Sequence, residues 1–152
     1  MSNLWRLVHY FAFVAWLGGG LGVIWAGLVM KRLDRSVWGG IADVQAALYR
    51  ALVGPGSILT VASGVVLTFR MYGALSGQSH PWLGMMQGMG FLGALITLLG
   101  AMPAAAKLSR LEPLGETAAA FDAARNRLWI TGLLGGICSF LALVAGALYR
   151  TG

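Results

Sequence analysis

The sequence predicts an all-α integral membrane protein in which four transmembrane helices form one bundle. Of its 152 residues, 58% are hydrophobic and only 11% are charged, which is too little charge to cover the surface of a soluble domain. The chain also contains four long apolar runs, and a bilayer core of about 30 Å requires about 20 apolar residues as helix. These runs lack the alternation of membrane strands, so helices are favoured over a barrel. We therefore treat residues 1–152 as a single transmembrane domain.

The predicted spans cover residues 4–30, 52–72, 81–106 and 128–149. Pro55 is expected to disturb the second helix locally, because proline has no N–H to donate. The Ala-rich segments 43–50 and 116–127 favour helix, so the second and fourth helices should extend beyond their apolar runs. The first run is too long for a cleaved signal peptide and lacks a clear cleavage site.

The two halves of the chain show a weak internal similarity. Each half reads as an apolar helix, a basic loop, an amphipathic helix start and a second apolar helix. A polar residue, His9 or Gln87, falls early in the first helix of each half, and a lysine, Lys31 or Lys107, follows that helix. Two tandem helical hairpins would give this pattern, and so would an ordinary four-helix membrane protein.

The basic residues predict the orientation in the membrane. Eight lie in or beside the two longer loops: Lys31, Arg32, Arg35, Arg50, Lys107, Arg110, Arg125 and Arg127. On the other side stand Arg6, Arg70 and Arg150. Since cytoplasmic loops carry the excess of Lys and Arg, the longer loops should be cytoplasmic. Both termini and the 73–80 loop should then face the periplasm of a bacterial inner membrane. The positive charge thus indicates topology, with the lipid bilayer and not nucleic acid as the partner.

Signatures of soluble enzymes are missing from the sequence. It has no Gly-rich phosphate loop, no HExxH and no CxxC motif, and its single cysteine, Cys138, excludes an internal disulfide. Carboxylates are confined to the predicted inner loops, which argues against a buried carboxylate relay. Whether the protein is an enzyme stays undecided at this point, and the hypothesis to test is a haem-dependent membrane oxidoreductase.

His9 is the strongest candidate for chemistry. A polar side chain within a membrane span is costly and therefore informative, and imidazole binds haem iron or copper readily. Four further candidate ligands fall on the same predicted outer side: His80, Met85, Met86 and Met89. Thioether sulfur suits Cu(I) and also serves as an axial haem ligand. The alternative is structural, because methionines fill gaps between helices and His9 lies near the interface.

Three more residues are candidates for holding a haem. Gln87 lies about as deep in the third span as His9 does in the first, so it could support the other face of the ring. Arg50 and Arg70 mark the two predicted ends of the second span, and an arginine can pair with haem propionates. Arg70 is the better placed of the two, because it falls on the outer side.

Glycine spacing supports a third hypothesis, in which the protein binds no cofactor. Small-xxx-small pairs let helices approach closely, and the sequence has three of them: Gly18–Gly22, Gly84–Gly88 and Gly132–Gly136. Such faces would let the chain pack as an accessory subunit in a larger membrane complex, or as a homodimer.

Short motifs near the start of three helices carry a family resemblance. They are Leu4-Trp5 with His9, Trp16 and Gly18-Gly19; Leu48-Tyr49-Arg50 with Pro55 and Gly64; and Trp82-Leu83. In these the chain resembles a superfamily of small bacterial membrane proteins that includes the HemJ-type protoporphyrinogen oxidases and the CopD-type copper-resistance domains.

The resemblance implies a haem or copper site at His9. In HemJ-type proteins the matching histidine is thought to serve a b-type haem, and a lysine follows the Trp-Leu pair where Met86 or Gln87 stands here. CopD-type proteins are implicated in copper movement from the periplasm. The leading hypothesis is thus b-type haem bound in the outer half, with a role in electron transfer or a redox step. The alternatives are copper handling and a cofactor-free accessory subunit.

Overall fold

A computed structural model of the protein describes residues 2–73 and 81–151. Within these ranges the chain is helical and contains no strand. The α-helices, in chain order, are α1 (Ser2–Met30), α2 (Trp38–Leu48), α3 (Gly54–Tyr72), α4 (Pro81–Ile96), α5 (Met102–Leu108) and α6 (Ala118–Thr151). Single 3₁₀ turns, Arg35–Val37 and Gly115–Thr117, precede α2 and α6.

Two π-helical turns join neighbouring helices without a break. Tyr49–Val53 connects α2 to α3, and Thr97–Ala101 connects α4 to α5. Each π turn ends two residues before a proline, Pro55 or Pro103. A proline ring crowds the carbonyl four residues earlier and has no N–H to donate to it. In a π turn the backbone hydrogen bonds join residues five apart and not four apart, so the carbonyl that faces the proline need not bond to it. The predicted disturbance at Pro55 is confirmed.

Four helical stretches of the described chain are long and apolar enough to cross a membrane. They are Asn3–Met30, Arg35–Tyr72, Pro81–Leu108 and Gly115–Tyr149. The predicted all-helical class and four apolar helices are therefore confirmed, as is the extension of the second and fourth helices. At about 1.5 Å per residue, the 38 residues of the second stretch are about 57 Å long. That is more than a bilayer core of about 30 Å requires.

The helices associate as two pairs. α1 packs mainly along α3, and α4 packs mainly along α6. Close approach in the first pair depends on Gly56: a Cβ there would lie 2.8 Å from the carbonyl oxygen of Ala12 and from the amide nitrogen of Trp16. In the second pair a Cβ on Gly93 would lie 3.1 Å from Cβ of Cys138. The first helical stretch thus pairs with the second, and the third pairs with the fourth.

The glycines at these contacts differ from those of the predicted small-xxx-small pairs. A Cβ on Gly18, Gly88 or Gly136 would meet nothing within 4 Å. Gly22 and Gly132 instead face side chains of the second helical stretch, where a Cβ would lie 3.6 Å from Leu48 and 3.1 Å from the Tyr49 hydroxyl, respectively. In the pairs Gly18–Gly22 and Gly132–Gly136, one glycine therefore faces a side chain of the second stretch and the other has open space beside it.

The ends of the helices that carry the basic loops are joined through Arg35. Its guanidinium donates to the carboxylate of Asp122 at 2.7 Å and, through Nε, to the carbonyl of Pro113 at 2.6 Å. It also stacks on the Trp38 ring at 5.0 Å, and Arg125 stacks on that ring at 4.7 Å. These contacts connect the loop of the first hairpin to the loop of the second.

The turn before α2 is held by Asp34. Its carboxylate accepts from the Ser36 hydroxyl at 2.7 Å and from the Ser36 backbone N–H at 2.9 Å. These hydrogen bonds favour the ionised form and lower the pKa of Asp34. The turn is therefore best held when Asp34 is charged.

Candidate ligand site at His9

His9 lies on the face of α1 that packs against α3. Its ring is half-buried, and Nδ1 is 2.9 Å from the Oγ atom of Ser63 on α3. Ser63 is itself buried. The lengthwise packing of α1 on α3 brings these two side chains together, although 54 residues separate them in the chain.

The hydrogen bonds of Ser63 determine which His9 nitrogen carries the proton. The Ser63 hydroxyl donates to backbone carbonyls of its own helix, at 2.5 Å to Leu59 and 3.1 Å to Thr60. A hydroxyl has one proton to give, and we assign it to the Leu59 carbonyl, the shortest of these contacts. In that arrangement the Ser63 oxygen accepts from Nδ1–H of the neutral ring, and Nε2 keeps its lone pair. That is the form in which imidazole binds a metal, with a hydrogen bond orienting it from the other nitrogen.

A glycine on α3 makes room for the ring. A Cβ on Gly64 would lie 3.3 Å from Cε1 of His9, which is closer than an ordinary contact. One turn earlier on the same helix, the buried Thr60 hydroxyl has no hydrogen-bond partner among the described residues. The surroundings of His9 on α3 thus contain a bare backbone position and an unsatisfied hydroxyl.

Gln87 contacts the same helix from the other hairpin. Its side-chain amide donates to the hydroxyl of Thr68 at 2.9 Å, and that hydroxyl donates to the Gly64 carbonyl at 2.9 Å. His9 and Gln87 therefore both bond side chains of α3, five residues apart, on either side of Gly64. The structure brings the two predicted site residues to one segment of α3.

The predicted methionine and histidine ligands are distributed differently. Met86 lies against α6, where a Cβ on Gly146 would come within 3.1 Å of its sulfur, while Met85 is 37% exposed. Met89 is half-buried on α4, and His80 lies outside the described residues. Within residues 2–73 and 81–151, no three His, Cys, Asp or Glu side chains gather as a metal site would require.

The two predicted propionate partners are both exposed. Arg70 lies in the last turn of α3, just before Gly73 ends that helix in the left-handed conformation. Arg50 lies within the first π turn, inside a continuous helix and not at a helix start. Neither forms an ion pair with a described carboxylate, so both guanidinium groups are available for an anionic group.

Sequence reasoning missed the partners that these polar residues find across helices. Ser63 and Thr97 could each be explained as bonding their own helix, yet Ser63 also binds His9, and Thr97 accepts from the Trp16 indole at 3.3 Å. Gln45 falls in the segment 43–50, whose alanines predict only a helix, and its side chain is buried. Nothing local in the sequence marks such pairs.

No protein-family model, curated protein or solved structure matches this chain. The resemblance to HemJ-type and CopD-type proteins stays a prediction.

Proposed function

We propose that the protein is a multi-pass protein of a bacterial inner membrane that binds b-type haem in its outer half through His9. Its role would be electron transfer or a redox step. The observation that supports this proposal is the contact of His9 Nδ1 with Ser63. With the Ser63 proton assigned to the Leu59 carbonyl, Nδ1–H donates a hydrogen bond to Ser63 and the lone pair of Nε2 is available to a metal. An imidazole in this state is the usual proximal ligand of haem iron.

Each proposed residue has a defined task. Nε2 of His9 would bind the iron, and the Ser63 hydroxyl would keep the ring in the required tautomer and orientation. Gln87 would lie toward the other face, and the exposed Arg70 guanidinium at the end of α3 would pair with a propionate. The bound group would supply one-electron chemistry, while the chain positions it and shields it from water.

The first test is optical. Protein purified from haem-replete cells should show a Soret band, and His9→Ala should abolish it because the iron loses its ligand. His80→Ala tests separately whether His80 is the second ligand. Colourless wild-type protein, or an unchanged spectrum in His9→Ala, would refute the haem proposal.

Copper handling is the alternative use of the same ring, because a bare imidazole nitrogen and thioether sulfur both bind copper. Met85, Met86, Met89 and His80 would then supply the further ligands. Metal analysis of the purified protein and the copper sensitivity of a deletion strain separate the two proposals. Stoichiometric copper in colourless protein would favour this alternative.

Open glycines support the third proposal, an accessory subunit or homodimer. Gly18, Gly88 and Gly136 have nothing near the position of a Cβ, so another helix could approach them closely. Isolation of the chain in a stable complex, free of haem and metal, would favour this role over the first two.

The proposed outer location of His9 depends on orientation, and reporter fusions test it. Alkaline phosphatase fused to the C-terminus should be active, since the basic loops should hold that end in the periplasm. Green fluorescent protein at the same position should stay dark. The reverse pair of results would place His9 on the cytoplasmic side.

A further inference from the structure

The far end of α1 from His9 borders a second candidate site, an open cleft of about 90 Å³ between α1, α2 and α6. Its polar and aromatic lining comprises Lys31, Gln45, Arg125, Asn126 and Trp129. None of these residues takes part in the proposed haem site.

Gln45 places a buried, unpartnered acceptor beside this cleft. Its side chain is 4% exposed, and its amide nitrogen donates to the carbonyl of Val23 at 2.9 Å. That carbonyl can only accept, so the amide cannot be turned around. Its Oε1 atom is buried and has no partner in the described chain. A buried acceptor without a hydrogen-bond donor is destabilising, and a ligand that donates a hydrogen bond to Oε1 would remove this cost.

Two cations lie at the same cleft without carboxylate partners. The Lys31 ammonium lies over the Trp129 ring at 5.1 Å, and the Arg125 guanidinium lies over Trp38 at 4.7 Å. The ion pair of the described chain uses Arg35 and not these two. Aromatic faces thus orient both cations, and neither forms an ion pair with a described carboxylate, which favours an anionic ligand.

The space in the cleft depends on two glycines that line it. A Cβ on Gly27 would lie 3.2 Å from Nε2 of Gln45, and a Cβ on Gly132 would lie 3.1 Å from the hydroxyl of Tyr49. Any larger residue at either position would fill the cleft or displace these polar groups. The bare backbone therefore leaves room for the buried Gln45 amide beside the cleft.

An apolar groove continues from the cleft across Lys31. It has a volume of about 220 Å³ and is lined by Trp25, Leu28, Val29, Lys31 and Arg32. Trp25 is 67% exposed on a helix apolar enough to cross a membrane. A cleft whose lining includes cations and a buried amide and an apolar groove that shares Lys31 with it match a molecule with an anionic head and an acyl chain.

We propose that this cleft binds the headgroup of an anionic phospholipid that carries a free hydroxyl, as phosphatidylglycerol does. The phosphate lies between Lys31 and Arg125, a headgroup hydroxyl donates to Oε1 of Gln45, and an acyl chain follows the groove beside Trp25. Basic pockets between helices on the cytoplasmic side are known to suit such headgroups. The inference is independent of any haem at His9.

Native mass spectrometry of the detergent-purified full chain tests it with three lipids of matched acyl chains. Phosphatidylglycerol offers charge and hydroxyls, phosphatidylmethanol offers the charge without a hydroxyl, and phosphatidylcholine has no net charge and no donor. We expect phosphatidylglycerol to bind about tenfold more tightly than either of the others. Phosphatidylmethanol lacks the headgroup hydroxyl, and phosphatidylcholine lacks it too and places a choline cation beside Lys31 and Arg125. This comparison uses the wild-type chain, so it does not depend on a variant that folds.

Variants locate the site. Lys31→Ala and Arg125→Ala should each weaken phosphatidylglycerol binding about tenfold, whereas Arg127→Ala, which removes an exposed charge outside the cleft, should not. Gln45→Met should abolish the preference for phosphatidylglycerol over phosphatidylmethanol while leaving the preference over phosphatidylcholine.

Soluble glycerol 3-phosphate is the arm that distinguishes the source of the headgroup. We expect it not to displace the lipid, since it lacks the acyl chain. Displacement that depends on Lys31 would mean that the cleft recognises a phosphate and a hydroxyl, but on a soluble molecule and not on a membrane lipid. That result would overturn the lipid proposal. Equal binding of the three lipids, or equal effects of Lys31→Ala and Arg127→Ala, would overturn the proposal.

Discussion

One hydroxyl group determines what the His9 ring can do. With its only proton assigned to the Leu59 carbonyl of its own helix, Ser63 accepts a hydrogen bond from Nδ1 of His9. Without that hydrogen bond the neutral ring could carry its proton on either nitrogen and could turn about its χ2 angle. Ser63 is therefore a positioning residue, and its effect on a ligand passes through His9.

Ser63→Ala tests this role at the scale of the residue. We expect about tenfold to a hundredfold weaker haem binding, the usual cost of losing the orienting partner of a histidine ligand. Ser57→Ala is the matched control, because Ser57 is equally buried but bonds only the Gly54 carbonyl of its own helix. Haem titrations that give the same affinity for both variants would contradict the assignment of Ser63.

At the scale of the element, the π turns change which faces the helices present. A π turn holds more residues than an α turn. The apolar residues that follow Tyr49–Val53 therefore lie on a different face from the one that an uninterrupted α-helix of 3.6 residues per turn would give them. Tyr49 is buried at the start of that turn, while Arg50 beside it is exposed. Pro55, two residues after this turn, therefore also influences the rotation of α3 relative to α2.

The α1–α3 contact makes a quantitative prediction. Gly56→Ala should lower the free energy of unfolding by about 1–3 kcal/mol, the cost of overpacking. The added methyl group would meet backbone atoms of Ala12 and Trp16 that cannot move alone. Gly18→Ala, on a face of α1 where a Cβ meets nothing, should leave stability unchanged or slightly raised.

Unfolding in detergent followed by circular dichroism gives the comparison. Equal stabilities of the two variants would show that α1 and α3 do not approach as closely as described.

At the scale of the whole molecule, the two hairpins are joined at their looped ends by Arg35. Its contacts with Asp122, Pro113 and Trp38 connect segments that lie 78 and 87 residues apart in the chain. The ion pair is partly exposed, with side-chain exposures of 35% and 42%, so solvent screens much of its attraction. Packing and the carbonyl bond should then matter more than the charge.

Asp122→Asn should lower the free energy of unfolding by at most about 1 kcal/mol, and less at high salt. Arg35→Ala should cost more, since it also removes the bond to Pro113 and the contact with Trp38. Asp43→Asn, an exposed carboxylate in α2, is the control for a change of charge alone. A larger loss in Asp122→Asn than in Arg35→Ala would mean that the ion pair and not the packing holds the hairpins together.

The number and extent of the helices could be predicted from the sequence because both depend on local properties. Apolar run length, alanine content in 43–50 and 116–127, and the missing N–H of Pro55 act within a turn or two of where they occur in the chain. The same local reasoning singled out His9 as a polar residue in an apolar run. It could not find Ser63, because every helical serine can satisfy itself on its own backbone.

What the sequence determined by itself is therefore the set of apolar helices, their loops and one conspicuous imidazole. Only the tertiary structure decided that His9 meets Ser63 and that Gln45 is buried with an unsatisfied oxygen. The physical reason is that helical hydrogen bonds join residues four apart, whereas contacts between helices depend on their rotation and register. A single π turn changes both, so residues 54 or 22 positions apart find each other only in the folded bundle.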